Sequence, residues 1–500
     1  MKIFSAAQIR QWDQFTIQEE PISSYDLMER ASSTFVHWFI ENFPNDRPIQ
    51  IFCGSGNNGG DGLAVARLLH QSFYNVQVFF CEIGNPSLDC KINLEKLEKL
   101  EITTIVSLAT GSPFPTIPSD TIVIDAIFGS GLNRPITGYW ADIVDHINRS
   151  SEQIVAIDIP SGLYSDQSSK GNTMVNAEHT FSFERPKLAF FLPENFESVG
   201  NWDVASIGLH TSFDRKSSST FHLITRSQIK QILKPRNKFD HKGTHGHALL
   251  VVGSYGKVGA GVLAARACLR SGIGLLSVNI PKCGYFILQS QVPEAMTIVD
   301  PEDDYWTTVP NLQGFKSIGI GCGLGQVSAT RNALKILLES ISYPIVLDAD
   351  ALNIISNNPS LLPLIPQGSI LTPHPKEFER LFGVTVNDFE RLTLLSDQAK
   401  SRKLVILLKG AHTTIALPNG ECYFNNTGNP GMATGGSGDA LTGMITSFLA
   451  QGYSSEEATI LGVYIHGSAG DFAAAEKSEN ALLPSDLIDN IGKVFLSLKI

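Results

Sequence analysis

A chain of 500 residues has room for two or three domains. At 43% hydrophobic and 17% charged it has the composition of a globular protein, and a net charge of -11 excludes a broad basic face for nucleic acid or anionic lipid. Seven cysteines without a C-x-x-C pair exclude a disulfide framework and structural zinc, and predict buried thiols in a reducing compartment.

The N-terminal MKIFSAAQIRQWDQ turns polar too soon for a secretory signal, and no apolar run approaches transmembrane length. A cytoplasmic protein without a membrane partner is expected. Trp12, Phe35 and Trp38 fall on helix-like stretches and are read as packing or subunit contacts, with a homo-oligomer expected. Apolar runs at 49–53, 76–81, 121–127 and 154–159 each end near Gly, Asp or Pro, and a helix pattern covers 63–70. Residues 209–220 are polar and carry no hydrophobic period, which places a boundary there between domains 1–215 and 222–500. Beyond it, similar runs recur at 248–253, 275–280, 317–321, 344–347, 369–371 and 404–408, with helix patterns at 261–270 and 440–450. Continuous β-branched runs indicate parallel strands buried on both faces. The fold class is α/β, as two units with parallel-rich sheets.

In such sheets ligands bind beyond the carboxyl ends of the strands. The stretch CGSGNNGGDGL, residues 53–63, holds a G-x-G-x-x-G at Gly54, Gly56 and Gly59. A pyrophosphate loop uses such glycines, but Asp61 beside the same helix start would repel a phosphate. Asn57 and Asn58 offer amide oxygens instead. Asp125 and Ser161, near two further strand ends, add a carboxylate and a hydroxyl, a donor set suited to a weakly charged hard cation. Each loop alone reads as a glycine turn with a helix cap; three on successive strands indicate a site.

In the second half, Asn429-Pro-Gly-Met-Ala-Thr-Gly-Gly-Ser-Gly-Asp-Ala440 leads into a helix pattern. Small residues at a helix start leave backbone N–H groups free for phosphoryl oxygens. Asp439, in the first turn, is placed to take a proton from a hydroxyl attacking that phosphoryl group. His241, His245 and His247 fit neither H-E-x-x-H nor zinc-finger spacing, have no Cys or carboxylate close by, and are read as a loop feeding a strand.

Asn57-Asn-Gly-Gly-Asp-Gly62, Asp125-Ala-Ile-Phe-Gly-Ser-Gly131 and Asp158-Ile-Pro-Ser-Gly162 resemble the epimerase domain of the NAD(P)H-hydrate repair enzymes, over about residues 1–215. Residues 222–495 resemble the ribokinase-like superfamily and, within it, the ADP-dependent NAD(P)H-hydrate dehydratase domain. That likeness rests on His241-Lys-Gly-Thr-His-Gly-His247, Gly319-Ile-Gly-Cys-Gly-Leu-Gly325, Asp348-Ala-Asp-Ala-Leu-Asn353, Thr372-Pro-His-Pro-Lys-Glu377, Lys409-Gly-Ala-His-Thr413 and the Asn429 segment. Cys322 stands where that family often has Pro, and His245 where Tyr is common.

The resemblance implies a Rossmann-like three-layer N-terminal domain and a ribokinase-like α/β C-terminal domain. It implies hydrated NADH or NADPH and an adenine nucleotide as substrates, with no nucleic-acid partner. For the epimerase it implies hydrate contacts at Asn57, Asn58, Gly59, Gly60, Asp61, Gly129, Ser130, Gly131, Leu132, Asn133, Arg134, Pro135 and Asp158. Asp158 is the catalytic candidate there, and Asn58, Asp125 and Ser161 are implied to hold potassium. For the dehydratase it implies hydrate contacts at Gly323, His374 and the catalytic Asp439. The nucleotide is implied at Lys409, Gly410, Ala411, His412 and Thr413, and at Asn429, Pro430, Gly431, Met432, Ala433, Thr434, Gly435, Gly436, Ser437 and Gly438, with Mg2+ and ADP as co-substrate. The alternative is a ribokinase-like small-molecule kinase carrying a non-catalytic N-terminal binding module.

Overall fold

The structure is a computed structural model that describes residues 1–100 and 104–499. Ile500, the end assigned to the second domain, lies outside the described residues. The chain forms two compact units: residues 2–219 with 387–389, and residues 220–386 with 390–499 and Met1.

The first unit opens with helices α1 (Ala6–Glu19), started by a capping box between Ser5 and Gln8, and α2 (Ser24–Asn42), capped by Ser23. Its sheet runs β3 (Thr104–Leu108), β2 (Val76–Cys81), β1 (Ile49–Cys53), β4 (Ile122–Ala126), β5 (Ile154–Ile157), β6 (His179–Phe183), β7 (Asn201–Ala205) across, with every pair parallel. Alternation along β1 explains the layering. Ile51 joins one core with Phe35 and Phe39 of α2, Leu63 of α3 (Asn57–Gln71) and Leu97 of α4 (Leu88–Glu98). Phe52 joins a second core with Ile143, Val144 and Ile147 of α5 (Tyr139–Ser150). The strands are therefore covered on both sides, which is why they read as unbroken apolar runs. Trp12 and Phe35 are buried packing residues of this unit, and half-buried Trp38 donates its indole N–H to Asp203 Oδ2 at 3.1 Å. Neither of the two buried rings is left for a subunit contact. The chain order reverses between β1 and β4, so the crevice beyond their carboxyl ends is the expected ligand position.

In the second unit the sheet runs β8 (Phe221–Leu223), β17 (Cys422–Phe424), β16 (Thr414–Ala416), β15 (Val405–Leu408), β14 (Ile370–Leu371), β13 (Val346–Leu347), β12 (Ser317–Ile320), β9 (His247–Val251), β10 (Leu275–Ile280), β11 (Met296–Val299). Pairing is parallel except around β16, which is antiparallel to both neighbours. Helix α6 (Val258–Arg270) follows β9, and α10 (Ser437–Ala450) packs against it at Gly443, where a Cβ would lie 2.0 Å from the Ala264 carbonyl oxygen. Only glycine permits that approach. The chain reverses between β9 and β12, giving this sheet its own crevice. No described helix is long and apolar enough to cross a membrane.

Three helices start earlier than their hydrophobic pattern: α3 at Asn57 rather than 63, α6 at Val258 rather than 261, and α10 at Ser437 rather than 440. Gly, Asn, Ser and Asp of a first turn carry no hydrophobic signal, so the period becomes visible only one turn in. Asn57 to Gly62 is thus helix, not loop.

Candidate active sites

In the first unit, the β1 and β4 ends are fused by glycine. A Cβ on Gly54 would meet the Ile127 carbonyl oxygen at 2.0 Å, and one on Gly59 the Gly54 carbonyl oxygen at 1.7 Å. Gly60 is less constrained, since a Cβ there would first meet the flexible Met28 sulfur, at 2.9 Å. Substituting Gly59→Ala must displace backbone at the start of α3, with an expected loss of about 1–3 kcal/mol from overpacking. Thermal unfolding of that variant measures the effect.

Asn58 donates Nδ2 to the Phe128 carbonyl oxygen at 3.2 Å, which leaves its Oδ1 as an acceptor beside Gly129. Fully buried Asp125 accepts from the Ser161 amide at 2.7 Å, the Ser161 hydroxyl at 2.6 Å and the Ile127 amide at 3.2 Å. The Ser161 hydroxyl also accepts from the Phe128 amide at 2.8 Å. Asn58, Asp125 and Ser161, read from three separate strand ends, thus meet at one point. Burial pushes the Asp125 carboxyl up to about 6 against these hydrogen bonds, and no ion pair joins it among the described residues. A carboxylate without a cation, an amide oxygen and a hydroxyl fit a weakly charged hard cation. Gly129, Ser130, Gly131, Leu132, Asn133, Arg134 and Pro135 form the loop between β4 and α5, exposed at Gly131 and at Asn133 to Pro135.

Asp61 corrects one step of the sequence argument. Burial, then the neighbouring Asp158 and Asp13, hold its carboxyl well above the carboxylate range, which weakens the argument from phosphate repulsion. Asp158 follows β5 at φ 66°, a left-handed conformation uncommon for a residue with a Cβ. Its Oδ1 lies 2.7 Å from the ammonium of Lys187, itself 1% exposed. Sequence reasoning missed Lys187, which lies four residues past β6, and Asp13 on α1. A lysine in a loop and an aspartate in a helix look solvent-exposed in sequence.

In the second unit, glycine again shapes the crevice. Gly321 and Gly323 take positive φ, and Cβ atoms there would meet the Asp348 and Lys257 carbonyl oxygens at 1.8 and 2.6 Å. Ser254 Oγ donates to the Gly323 carbonyl at 2.8 Å, and Asp350 accepts from the Gly325 amide at 2.8 Å. The half-buried Asp439 lies in the first turn of α10, and Cys322 Sγ, an Asp348 oxygen and an Asp439 oxygen are within 4.8 Å of one another. Burial pushes the Asp439 carboxyl up to about 6, with the Cys322 thiol and Lys409 opposing and Asp348 and Asp350 adding. Burial also lifts the Cys322 thiol well above its usual value. A protonated thiol beside a carboxylate is a donor, so Cys322 in this turn hydrogen-bonds Asp439 without adding a charge.

Among the described residues, the amides of Gly435, Gly436 and Gly438 meet no hydrogen-bond acceptor. They front a helix N-terminus, an anion-binding arrangement. Lys409, after β15, brings its Nζ to 3.4 Å from where a Gly438 Cβ would stand. It lies 2.8 Å from Asp348 Oδ1, whose other oxygen accepts from Thr442 Oγ1 at 2.7 Å. Burial alone would raise Asp348; Lys409 and the hydrogen bonds outweigh it and hold the carboxyl below its ordinary value. Gly410, Ala411, His412 and Thr413 turn directly after Lys409, with Thr413 Oγ1 donating to the Gly410 carbonyl at 3.1 Å. Asn429 caps the short turn Pro430–Met432, and Ala433, Thr434 and Gly435 are exposed ahead of α10. Two supports were missed. His466, on helix α11 (Ser455–Lys477), meets the Ser437 carbonyl at 2.9 Å and is kept neutral by burial, its pKa lowered to about 4. Asp471 accepts from the Gly428 amide and Asn429 Nδ2, both at 3.0 Å.

His374 begins helix α9 (Pro375–Phe382), and its Nδ1 accepts from the Lys376 amide at 3.2 Å and the Glu377 amide at 3.4 Å. Its Nε2 lies 3.5 Å from Glu377 Oε1, so both ring nitrogens face protein partners. The three N-terminal histidines take separate partners: His241 Nδ1 accepts from the Gly243 amide, His247 Nε2 meets Ser277 Oγ at 2.9 Å, and His245 Nε2 lies 3.4 Å from Asp240. A carboxylate does accompany this segment, contrary to the sequence reading, but the histidines form no metal cluster among the described residues. Of the seven cysteines, all free, only Cys283 is not buried.

Residues 248–493 match a family model described as NAD(P)H-hydrate dehydratase, and residues 24–189 one described as YjeF-related protein N-terminus. The bifunctional NAD(P)H-hydrate repair enzyme of Moorella thermoacetica is 36% identical over 519 residues, covering 100% of this chain and 97% of that one. That of Escherichia coli is 30% identical over 499 residues, covering 98% and 93%. The solved ADP/ATP-dependent NAD(P)H-hydrate dehydratase of Bacillus subtilis, co-crystallized with ATP/Mg2+, superposes with a TM-score of 0.50 at 32% identity, over 56% of this chain and 99% of that one. A ribokinase-like superfamily protein of Enterococcus faecalis superposes with a TM-score of 0.50 at 26% identity, over 56% and 98%. Both the Rossmann-like and the ribokinase-like fold readings hold. With relatives alike from end to end and a family match on each half, the chain belongs to the family of bifunctional NAD(P)H-hydrate repair enzymes.

Proposed function

We propose that the two crevices divide the repair of hydrated NADH and NADPH between them. Domain 1–215 interconverts the R and S hydrates. Domain 222–500 dehydrates the S hydrate to NAD(P)H while ADP becomes AMP and phosphate. The observation that carries the second activity is Asp439 beside the free amides of Gly435, Gly436 and Gly438, with Lys409 across the same helix start.

Hydroxide is a poor leaving group from the hydrated ring. Asp439 takes the proton of the ring hydroxyl as its oxygen attacks the terminal phosphoryl group. The three glycine amides and Lys409 face the charge that develops there, and Asp348 fixes Lys409 in that position. The ring-nitrogen lone pair then expels phosphate, and a proton leaves the neighbouring carbon. Gly323 and His374 line the hydrate side, while Lys409 to Thr413 and Asn429 to Gly438 hold the nucleotide. Mg2+, when bound, neutralises the nucleotide phosphates. A kinase that releases a stable phosphorylated product is disfavoured by full-length kinship with repair enzymes.

In the first unit, Asn57 to Asp61 and Gly129 to Pro135 hold the hydrate, and Asp158 exchanges its proton. Asn58, Asp125 and Ser161 would hold potassium, which supplies fixed positive charge beside those loops. The protein works in the cytoplasm as a homo-oligomer.

The experiment supplies an R/S hydrate mixture with ADP or ATP, Mg2+ and K+, and follows reduced-nicotinamide absorbance. Full recovery is expected. No recovery with either nucleotide sinks the dehydratase reading, and recovery of only the S share sinks the epimerase reading. Asp158→Asn is expected to slow recovery of the R share by about 10²–10⁴-fold, the usual worth of a proton-transfer group, with the S share restored at the wild-type rate.

A further inference from the structure

We propose that Lys187 positions Asp158 as the base of the epimerase reaction and that Asp13 is the proton donor opposite it. The inference rests on the epimerase reading of this unit.

Three donors hold Asp158, and all address the same oxygen. Lys187 Nζ lies 2.7 Å from Oδ1, the Phe183 amide 3.3 Å and Ser182 Oγ 3.4 Å. Ser182 Oγ in turn accepts from Lys187 Nζ at 2.9 Å. No donor reaches Oδ2 among the described residues. The carboxylate is thus clamped by one oxygen with the other left for substrate. A left-handed backbone such as that at Asp158 favours glycine, yet this chain keeps an aspartate there.

Asp13 is the second unengaged carboxyl. It is half-buried on α1 and accepts no hydrogen bond among the described residues. Asp158 and Glu184 act on it as like charges and Lys187 as an opposite one, while Asp61 is acted on by Asp13, Asp158 and Asp89. One helical turn earlier, Arg10 brings Nη1 to 3.4 Å from where a Gly131 Cβ would stand, so this part of α1 adjoins the second glycine loop. Lys187 pairs with Asp158 and acts on Asp13, while Asp61 feels both carboxyls, and three carboxylates in mutual reach with one ammonium cannot all ionise. Burial, then Asp158, pushes Asp13 up to about 7, so it holds a proton it can release at neutral pH. Asp61 meets the Ser32 hydroxyl at 3.4 Å, which leaves Asp13 as the protonated carboxyl free of protein partners.

The step needs a base and an acid together. Asp158 Oδ2 takes the proton of the ring hydroxyl, and the O–H electron pair becomes the second bond of a carbonyl. The C–N bond breaks with its pair on nitrogen, which takes the proton of Asp13. Rotation presents the other face of the carbonyl carbon. Nitrogen attacks it and returns its proton to Asp13, while the oxygen recovers one from Asp158. Both carboxyls finish as they began, so no co-reactant is required.

The test uses the full-length protein, R-enriched hydrate, Mg2+ and ADP, and reads R-hydrate loss by chromatography. Asp13→Asn is expected to lower kcat by about 100-fold or more with KM within about twofold. It is also expected to abolish the decline of epimerisation as pH rises through about 7. Lys187→Met should lower kcat similarly, and Lys187→Arg, which keeps the charge, should recover at least about tenfold of that loss. Near-UV circular dichroism and thermal unfolding of the same preparations report whether the first unit is folded, since S-hydrate dehydration depends on the other unit. A wild type that cannot epimerise R hydrate defeats the underlying reading. An active wild type with Asp13→Asn within about threefold of its kcat, or with Lys187→Met and Lys187→Arg equal in kcat, overturns the proposal. Should Lys187→Met fail to fold, Asp13→Asn and Lys187→Arg decide.

Discussion

Asp439→Asn is expected to lower S-hydrate dehydration by about 10²–10⁴-fold, the range for a lost general base, while ADP still binds. Single-turnover kinetics and calorimetric titration separate the two. The amides of Gly435, Gly436 and Gly438 and the Lys409 ammonium remain in the variant, so the phosphoryl subsite survives loss of the carboxylate. The wild-type pH profile carries its own signature. Burial first of all raises Asp439 to about 6, and a base must be ionised, so dehydration should fall as pH drops through about 6. The same shift has a stability consequence with a definite sign. The folded state binds this proton more tightly than the unfolded chain, so stability declines as pH rises from the ordinary carboxylate range to about 6. Asn lacks that penalty, and the variant should melt higher than wild type at neutral pH. An unchanged dehydration rate would remove Asp439 from the chemistry.

Lys409→Met is expected to cost about 3–5 kcal/mol of stability, because it leaves a carboxylate with an uncompensated buried charge. Asp348 is 1% exposed and its remaining side-chain donor of note, Thr442, is neutral. Its folded pKa lies below the unfolded value, so its contribution is present above the unfolded pKa and lost as pH falls through the folded one. The variant should therefore recover part of its deficit in acid, and Lys409→Met with Asp348→Asn should be milder than Lys409→Met alone. Denaturant unfolding of the second unit, with and without ADP, checks both. Equal losses for the single and double variants would show that the pair is not the cause.

Much of the site was legible because short polar residues at the ends of apolar parallel strands serve no core. Asn58, Asp125 and Ser161 stood out for that reason, as did Asp439 after its glycines, and the structure brings the first three together. The pairings that support these residues were not legible, even where one partner, such as Lys409, was itself read as a site residue. Asp348 and Lys409 are 61 positions apart, and Lys187 and Asp158 are 29 apart; nothing local in either sequence neighbourhood requires a partner. Nothing around His466 in helix α11 signals a partner, yet it underpins the start of α10.

Strands β3, β6, β7, β8, β11, β16 and β17 escaped the reading of apolar runs, but the amino-acid sequence by itself determined the other ten strands, the α/β class, the two glycine-rich segments that lead into helices and the residue types gathered at them. These follow from hydrophobic runs and from backbone freedom, which act over a few neighbouring residues. Tertiary structure alone decided where α3, α6 and α10 begin, that β16 runs antiparallel, and which oxygen of Asp158 is left free. It also decided which charges are paired, because a side chain's partner and its dielectric surroundings are set by strand order and packing across the whole unit.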